Sequence, residues 1–223
     1  MQPISSFTNQ FVQVELSGKN ILIGKVMDQG IDILVLYDGT RYTYVPWIHV
    51  QSIKQVPTDM IPPLFTVQDS PIYLNKEALS YRNILNNAKG LFVEINVTGT
   101  HSFHGYVTTI LNNYLVFYSP VFKTIFISLH HLKWLTPYSR SVTPFSLSNQ
   151  HLPVKPSQIP LSRSFEEQMK RLEGQLIILD TGDDPRKIGV LSNLEHNLLE
   201  LINATGDRTS WNIQHIKTIH LPS

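Results

Sequence analysis

Three histidines stand at matching places in this chain. His49, His131 and His215 each open a five-residue phrase: His49-Val50-Gln51-Ser52-Ile53, His131-Leu132-Lys133-Trp134-Leu135 and His215-Ile216-Lys217-Thr218-Ile219. Three gathered imidazoles would make the ligand set of a catalytic zinc centre, or supply a general base near neutrality. Matching positions in tandem units converge, however, only if the units close a ring with those faces inward. The stronger reading is that each ring nitrogen hydrogen-bonds the backbone at the turn into a last short strand. His101 and His104, three apart in a loop, offer two ligands where a stable metal site needs three or four, and no acidic residue lies nearby. The adjacent pair His130 and His131 is read in the same way. Thr181-Gly182-Asp183-Asp184-Pro185-Arg186-Lys187 sets two carboxylates beside two cations and could take a divalent ion. Asp, Gly and Pro are also what a turn requires, so these charges are expected to face water.

Other chemistry is missing from the sequence. It has no phosphate-binding glycine-rich motif, no nucleophile elbow and no His-Glu-x-x-His. Zero cysteines exclude disulfides, thiolate metal sites and thiol catalysis. The expectation is a protein that is not an enzyme, with no catalytic, cofactor-binding or metal-binding residues and no cofactor. Formal net charge is +1, with 0 over residues 1–56, +3 over 57–160 and −2 over 161–223. No segment is polybasic, which weakens a nucleic-acid role, since Lys and Arg supply most non-specific affinity for DNA or RNA. Aromatic residues on or beside strands, among them Tyr37, Tyr42, Tyr44, Tyr114 and Phe126, could stack on bases, but alternation turns most of them toward a core or a neighbouring module.

The elements that must place these side chains follow from the repeat. Counting back 25, 26 and 26 residues from the three histidines reaches Gly24, Gly105 and Gly189, which are 81 and 84 residues apart. A fixed internal distance at near-constant spacing marks a repeated unit. Residues four and two before each His are apolar (Val45 and Trp47, Ile127 and Leu129, Trp211 and Ile213), which is strand alternation. Apolar runs also flank each glycine. Each unit reads as five short strands, the second beginning at the glycine and the last running through the His phrase. The fold class expected is mainly β: three tandem small SH3-like or Sm-like β-barrels, whose closure would remove exposed strand edges. Gly24, His49 and Ile53, Gly105, His131 and Leu135, and Gly189, His215 and Ile219 form the structural signature of the repeat.

Composition places the boundaries. Repeat 1 covers 1–56. A Pro-rich linker, 57–74, leads to a helix and repeat 2 over 75–136, and a Pro/Ser-rich linker, 137–161, leads to a helix and repeat 3 over 162–223. Proline removes an amide donor and fixes the backbone, so the linkers should be extended. Their apolar residues, such as Ile61, Leu64, Phe65, Phe145 and Leu152, predict that they lie on barrel surfaces. Asn75 is expected to cap the first helix. Ser164 is expected to cap the second, with Glu167 at capping-box spacing, and Gly90 and Gly174 to end them.

The glycine-opened strand, the alternating strand and the closing His phrase resemble the amino-terminal repeat region of spore coat protein B of bacilli and related small uncharacterised domains. Repeat 3 carries the likeness best, through Leu172-Glu173-Gly174-Gln175-Leu176, Thr181-Gly182-Asp183-Asp184-Pro185, Gly189-Val190-Leu191 and His215-Ile216-Lys217-Thr218-Ile219. The resemblance implies a structural spore coat or spore-associated protein whose partners are other coat proteins and possibly a second copy of itself. It would be made in the cytoplasm of a sporulating cell and placed on the spore. No apolar run approaches the roughly 20 residues of a membrane span, and the amino terminus does not read as a secretion signal. The alternative function is an Sm-like binder of RNA or single-stranded DNA, for which Lys123, Lys133 and Arg140 would have to form a basic stripe.

Overall fold

Alternation along Phe11–Leu16 sends Val12, Val14 and Leu16 into full burial while the residues between them stay partly exposed, so this stretch is a half-buried strand. The same logic recurs along the chain. The computed structural model describes residues 6–57, 61, 66–72, 79–98, 101–139, 142–146 and 159–222. Repeat 1 contains β1 (Phe11–Leu16), β2 (Asn20–Gln29), β3 (Ile33–Tyr37), β4 (Tyr42–Pro46) and β5 (Val50–Gln55). Repeat 2 contains β6 (Phe92–Thr98), β7 (His101–Ile110), β8 (Tyr114–Ser119), β9 (Lys123–Ser128) and β10 (Trp134–Pro137). Repeat 3 contains β11 (Leu176–Leu179), β12 (Ile188–Glu195), β13 (Leu198–Ile202), β14 (Arg208–Asn212) and β15 (Thr218–His220). Two helices, α1 (Tyr81–Asn87) and α2 (Phe165–Lys170), precede repeats 2 and 3.

The protein is mainly β, and its strands pair antiparallel in open ladders. Contacts group the chain into two units, residues 1–103 with 133–146, and residues 104–132 with 147–223. The first holds the ladder β6-β10-β4-β3-β2-β1-β5, and the second holds β14-β13-β12-β11-β15-β9-β8-β7. The division falls inside repeat 2, so its five strands are shared between the units. In the first unit Val12, Val14, Leu16, Val26, Leu34, Leu36 and Val45 form a core under Trp47, Ile53 and Trp134. In the second, Tyr114, Val116 and Phe126 share a core with Phe165, Met169, Ile177, Leu199 and Ile219.

Closure of the kind expected for separate barrels is not made inside a repeat. The fourth and fifth strands of a repeat do not pair with each other among the described residues; β10 lies against β4 and β15 against β9. The exposed edge that closure would have removed is covered by the neighbouring repeat instead.

The anchor glycines lie inside strands, where the sequence suggested strand starts: β2 begins at Asn20, ahead of Gly24, and β7 at His101, ahead of Gly105. A Cβ on Gly24 would meet the Tyr37 carbonyl oxygen at 2.8 Å. On Gly105 and Gly189 it would run into the carbonyls of Tyr118 and Ile202, the matching ends of the third strands. Three residues past each glycine the pairing slips, between Val26 and Asp28, Val107 and Thr109, and Leu191 and Asn193. A bulge there bends the second strand and raises its twist. Gly105→Ala is expected to lower unfolding free energy by about 1–3 kcal/mol because backbone must move to admit the methyl. Gly206→Ala, where a Cβ would meet no atom within 4 Å but φ is +87°, isolates the cost of a left-handed backbone, about 1 kcal/mol, and urea unfolding of both variants checks whether Gly105→Ala exceeds it.

Helix α2 has the predicted cap: Ser164 Oγ accepts from Glu167 N, and the Glu167 carboxylate accepts from Ser164 N, both at 3.2 Å. Helix α1 starts later than the sequence suggested, with Ser80 as its cap; the expectation for Asn75 lies outside the described residues. Gly90 and Gly174 take φ of +79° and +82° in the turns that follow. The described parts of the linkers pack only at points, with residues 66–69 exposed and Phe145 itself 52% exposed. Ile72 is buried, the Tyr42 hydroxyl donates to the Gln68 carbonyl at 2.6 Å, and Phe145 sets its ring against Phe92. Leu64, Phe65 and Leu152 fall outside the described residues.

Candidate functional site

The places where one repeat meets the next are the most regular sites in the molecule. At the first joint Leu135 of β10 lies opposite Tyr44 of β4. At the second, Thr218, Ile219 and His220 of β15 lie opposite Ile127, Phe126 and Ile125 of β9. Leu135 and Ile219 each stand four residues after their histidine, and Tyr44 and Phe126 each stand five before theirs. The register is therefore the same at both joints. One step along, the Thr43 and Thr136 hydroxyls share a hydrogen bond of 3.0 Å where Ile125 faces His220 in the second joint.

Helix docking repeats too. Asp32, just before β3, accepts the Tyr81 N–H at 2.8 Å, and Asn113, just before β8, accepts the Phe165 N–H at 2.8 Å. Both N–H groups belong to first-turn residues, whose amides lack helical partners. The turn of one repeat thus caps the helix leading into the next. At the second joint a buried polar group completes the seat: Gln168 Oε1 accepts from the Tyr114 hydroxyl at 3.0 Å and from Ser162 N at 2.8 Å. Burial pushes the Tyr114 hydroxyl up to about 12, and its one proton is shared between Gln168 Oε1 and the Ser162 carbonyl, which lies at 2.7 Å. Neither the Asx positions nor Gln168 was singled out from the sequence. The Asx residue stands alone between two β runs, a pattern that any turn gives.

Each signature histidine closes a one-turn 3-10 helix (Trp47–His49, Leu129–His131, Ile213–His215) before the last strand. Their ring contacts differ. His49 is buried with Nδ1 at 3.3 Å from the Ser17 hydroxyl, His131 Nε2 lies 2.8 Å from the Gln214 carbonyl, and His215 is exposed. The His131 ring meets a backbone carbonyl, but one in the turn of the next repeat and not in its own. The common element is the turn, in which Val50, Leu132 and Ile216 donate N–H to the carbonyls of Trp47, Leu129 and Ile213. No group of three or more metal-ligating side chains is found among the described residues. The His101 side chain lies outside them.

Burial depresses the pKa of His131, against the Gln214 carbonyl bond that raises it, and burial alone depresses that of His220. Their folded values lie below the unfolded value of about 6.5. The fold then binds fewer protons than the unfolded chain as pH falls through 6.5 toward those lower values, and stability falls with it. His220→Leu is expected to flatten the loss of melting temperature between pH 7 and pH 5, as followed by circular dichroism.

The Thr181–Lys187 loop pairs one of its carboxylates internally and sends one cation to a residue just ahead of it. Arg186 clasps Asp184 at 2.7 Å, and hydrogen bonds from Arg186 hold the Asp184 carboxyl at about 2. Lys187 reaches Asp180 at 2.6 Å, and both cations sit over the Trp211 ring, at 5.7 Å for Arg186 and 5.2 Å for Lys187. Asp180, one residue ahead of the loop read from sequence, is buried and accepts from Lys217 N at 2.8 Å and Thr218 N at 3.1 Å. It pins the third His phrase to the first strand of its repeat.

The first unit has a cleft of about 680 Å³ lined by Tyr37, Tyr42, Tyr138, Arg41, Gln68 and Ser70. Tyr37 and Tyr42 pack with centroids 4.7 Å apart and are themselves buried, so they offer little stacking surface. Arg41 is paired with Glu94 at 2.9 Å. Of the residues a basic stripe would need, Lys123 belongs to one unit and Lys133 to the other, and Arg140 lies outside the described residues. No described helix is long and apolar enough to cross a membrane.

Joints of one register and a thrice-used turn define a β-rich tandem-repeat protein whose recurring residues build contacts between modules. The family described as YwrJ third domain matches residues 164–219, which lie within repeat 3. A protein of Bacillus subtilis strain 168, described as uncharacterized protein YwrJ, is 48% identical over 225 residues, spanning all of both chains. The chain belongs to the YwrJ family.

Proposed function

We propose that this chain is a structural, non-enzymatic protein of the spore coat or spore surface, acting through protein–protein contacts. Its three repeats are read as SH3-like or Sm-like five-stranded modules. The observation that carries the proposal is the double use of one strand-to-strand joint in one register. A chain that spends its recurrent residues on joining modules is built for assembly. Support for the modules comes from the pairing order within repeat 1, where β1 sits between β2 and β5, and from the bulge repeated in each second strand. The spore location rests on the likeness of the His phrase and glycine strand to spore coat protein B, and it suits kinship with a Bacillus protein.

A fluorescent fusion in sporulating cells tests the location: signal collecting around the forespore is expected, and signal confined to vegetative cytoplasm overturns it. The competing role as a binder of RNA or single-stranded DNA predicts a gel shift that weakens steeply with salt. The structural role predicts none at physiological ionic strength.

A further inference from the structure

We infer that the two open strand edges, β14 in repeat 3 and β5 in repeat 1, are the halves of one more such joint and that they fit each other across two copies of this chain. At both internal joints the fourth strand of one repeat takes the fifth strand of the next, with the residue five before the histidine opposite the residue four after it. Among the described residues the fourth strand of repeat 3, β14, pairs with β13 alone, and the fifth strand of repeat 1, β5, pairs with β1 alone. Each edge therefore presents a row of unpaired backbone donors and acceptors, which template another strand. The internal register carried across two copies sets Ile53 opposite Ser210, Lys54 opposite Thr209 and Ser52 opposite Trp211.

The turn that ends the second strand has the same backbone form in repeat 3, although no helix precedes repeat 1 among the described residues. Asn197 stands just before β13, as Asp32 and Asn113 stand before β3 and β8. Its carbonyl accepts the Ile213 N–H at 2.9 Å, as the carbonyls of Asp32 and Asn113 accept those of Trp47 and Leu129 at 3.0 and 2.9 Å. The side chains of the open halves explain why this joint is separable. Where the internal joints bury Tyr44 and Phe126, repeat 3 carries an exposed Ser210 flanked by an exposed Arg208. Its third strand carries Glu200 where Val35 and Val116 are buried. Arg208 and Glu200 pair at 2.7 Å. On β5, Gln51, Ser52, Lys54 and Gln55 are exposed. Such edges are soluble when apart, and the joint between copies rests on backbone hydrogen bonds with Ile53 as its apolar contact. The association is reversible, and because its two halves differ it continues head to tail from copy to copy.

Sedimentation velocity of the purified full chain tests this independently of where the protein resides in the cell. The average mass is expected to rise above 25.5 kDa with concentration within the range from about 1 µM to about 1 mM. Thr209→Lys sets two cations opposite each other and should raise the dissociation constant about fivefold, and adding Lys54→Glu should return it to within about twofold of the parent. Ser210→Phe, which installs the residue type of Phe126, should tighten association by about fivefold or more. A parent chain that stays monomeric across the whole range overturns the inference. So does association that none of these substitutions changes.

Discussion

Phe126→Ala is expected to lower the unfolding free energy by about 3–5 kcal/mol. Ser210→Ala, at the same place in the next repeat, should change it by no more than about 0.5 kcal/mol. Phe126 is 1% exposed and stands in the core that Tyr114 and Val116 share with Phe165 and Met169 of α2 and with Ile219. Its ring meets Tyr114 edge-on at 6.2 Å. Removing it opens a cavity in the core cluster that also holds Phe165 and Met169 of a short helix. A six-residue helix has little intrinsic stability with which to hold its place. For a chain of this size the loss corresponds to a fall in melting temperature of roughly 6–20 °C. Urea unfolding, followed by tryptophan fluorescence and by far-ultraviolet circular dichroism, measures it. Equal effects at Phe126 and Ser210 would show that the joint lends no more stability than an open edge does, and the architectural reading would fall with it.

How far the sequence foretold this arrangement depends on the kind of interaction involved. Local and periodic features were legible: alternation placed the strands, Ser164 with Glu167 placed the start of α2, and the Gly-to-His spacing gave the repeat. The reason for the glycines was not, because it is tertiary. Gly105 must be bare where the Tyr118 carbonyl approaches, and two strands have to be laid side by side before that contact exists. Closure into separate barrels was expected from the need to hide strand edges, and the need was read correctly. The covering strand, however, comes from the neighbouring repeat, because Tyr44 and Phe126 offer the next module a buried aromatic partner that a lone barrel would have left in water. The histidines misled in another way. A repeated titratable residue suggests repeated ring chemistry, yet one ring is buried beside a serine, one bonds a carbonyl and one is exposed. What recurs is the turn, which uses the backbone. Asp180 carries no signal in the sequence, because the Lys217 and Thr218 amides that it accepts from come to it only in the folded chain.

Asp180→Ala should then be the most damaging single change among the charged residues, at about 3 kcal/mol. One of its oxygens takes the amides of Lys217 and Thr218, and the other takes Lys187 Nζ at 2.6 Å. Truncation leaves two amides without their acceptor at the entry to β15, the strand that forms the second joint, and strands a cation whose side chain is only 20% exposed. The partial exposure of Lys187 sets the cost at the lower end of what a broken buried pair incurs. Asp180→Asn separates the two contributions, because an amide oxygen still accepts both N–H groups while the charge is gone, and it should cost about 1–2 kcal/mol. Lys187→Met should fall between the two, since the aliphatic part of its stem can still lie over Trp211 while the carboxylate keeps both backbone donors. Chemical denaturation of the three variants ranks them. If all three lie within about 0.5 kcal/mol of the parent, Asp180 is an ordinary turn residue and the third His phrase is held by strand pairing alone.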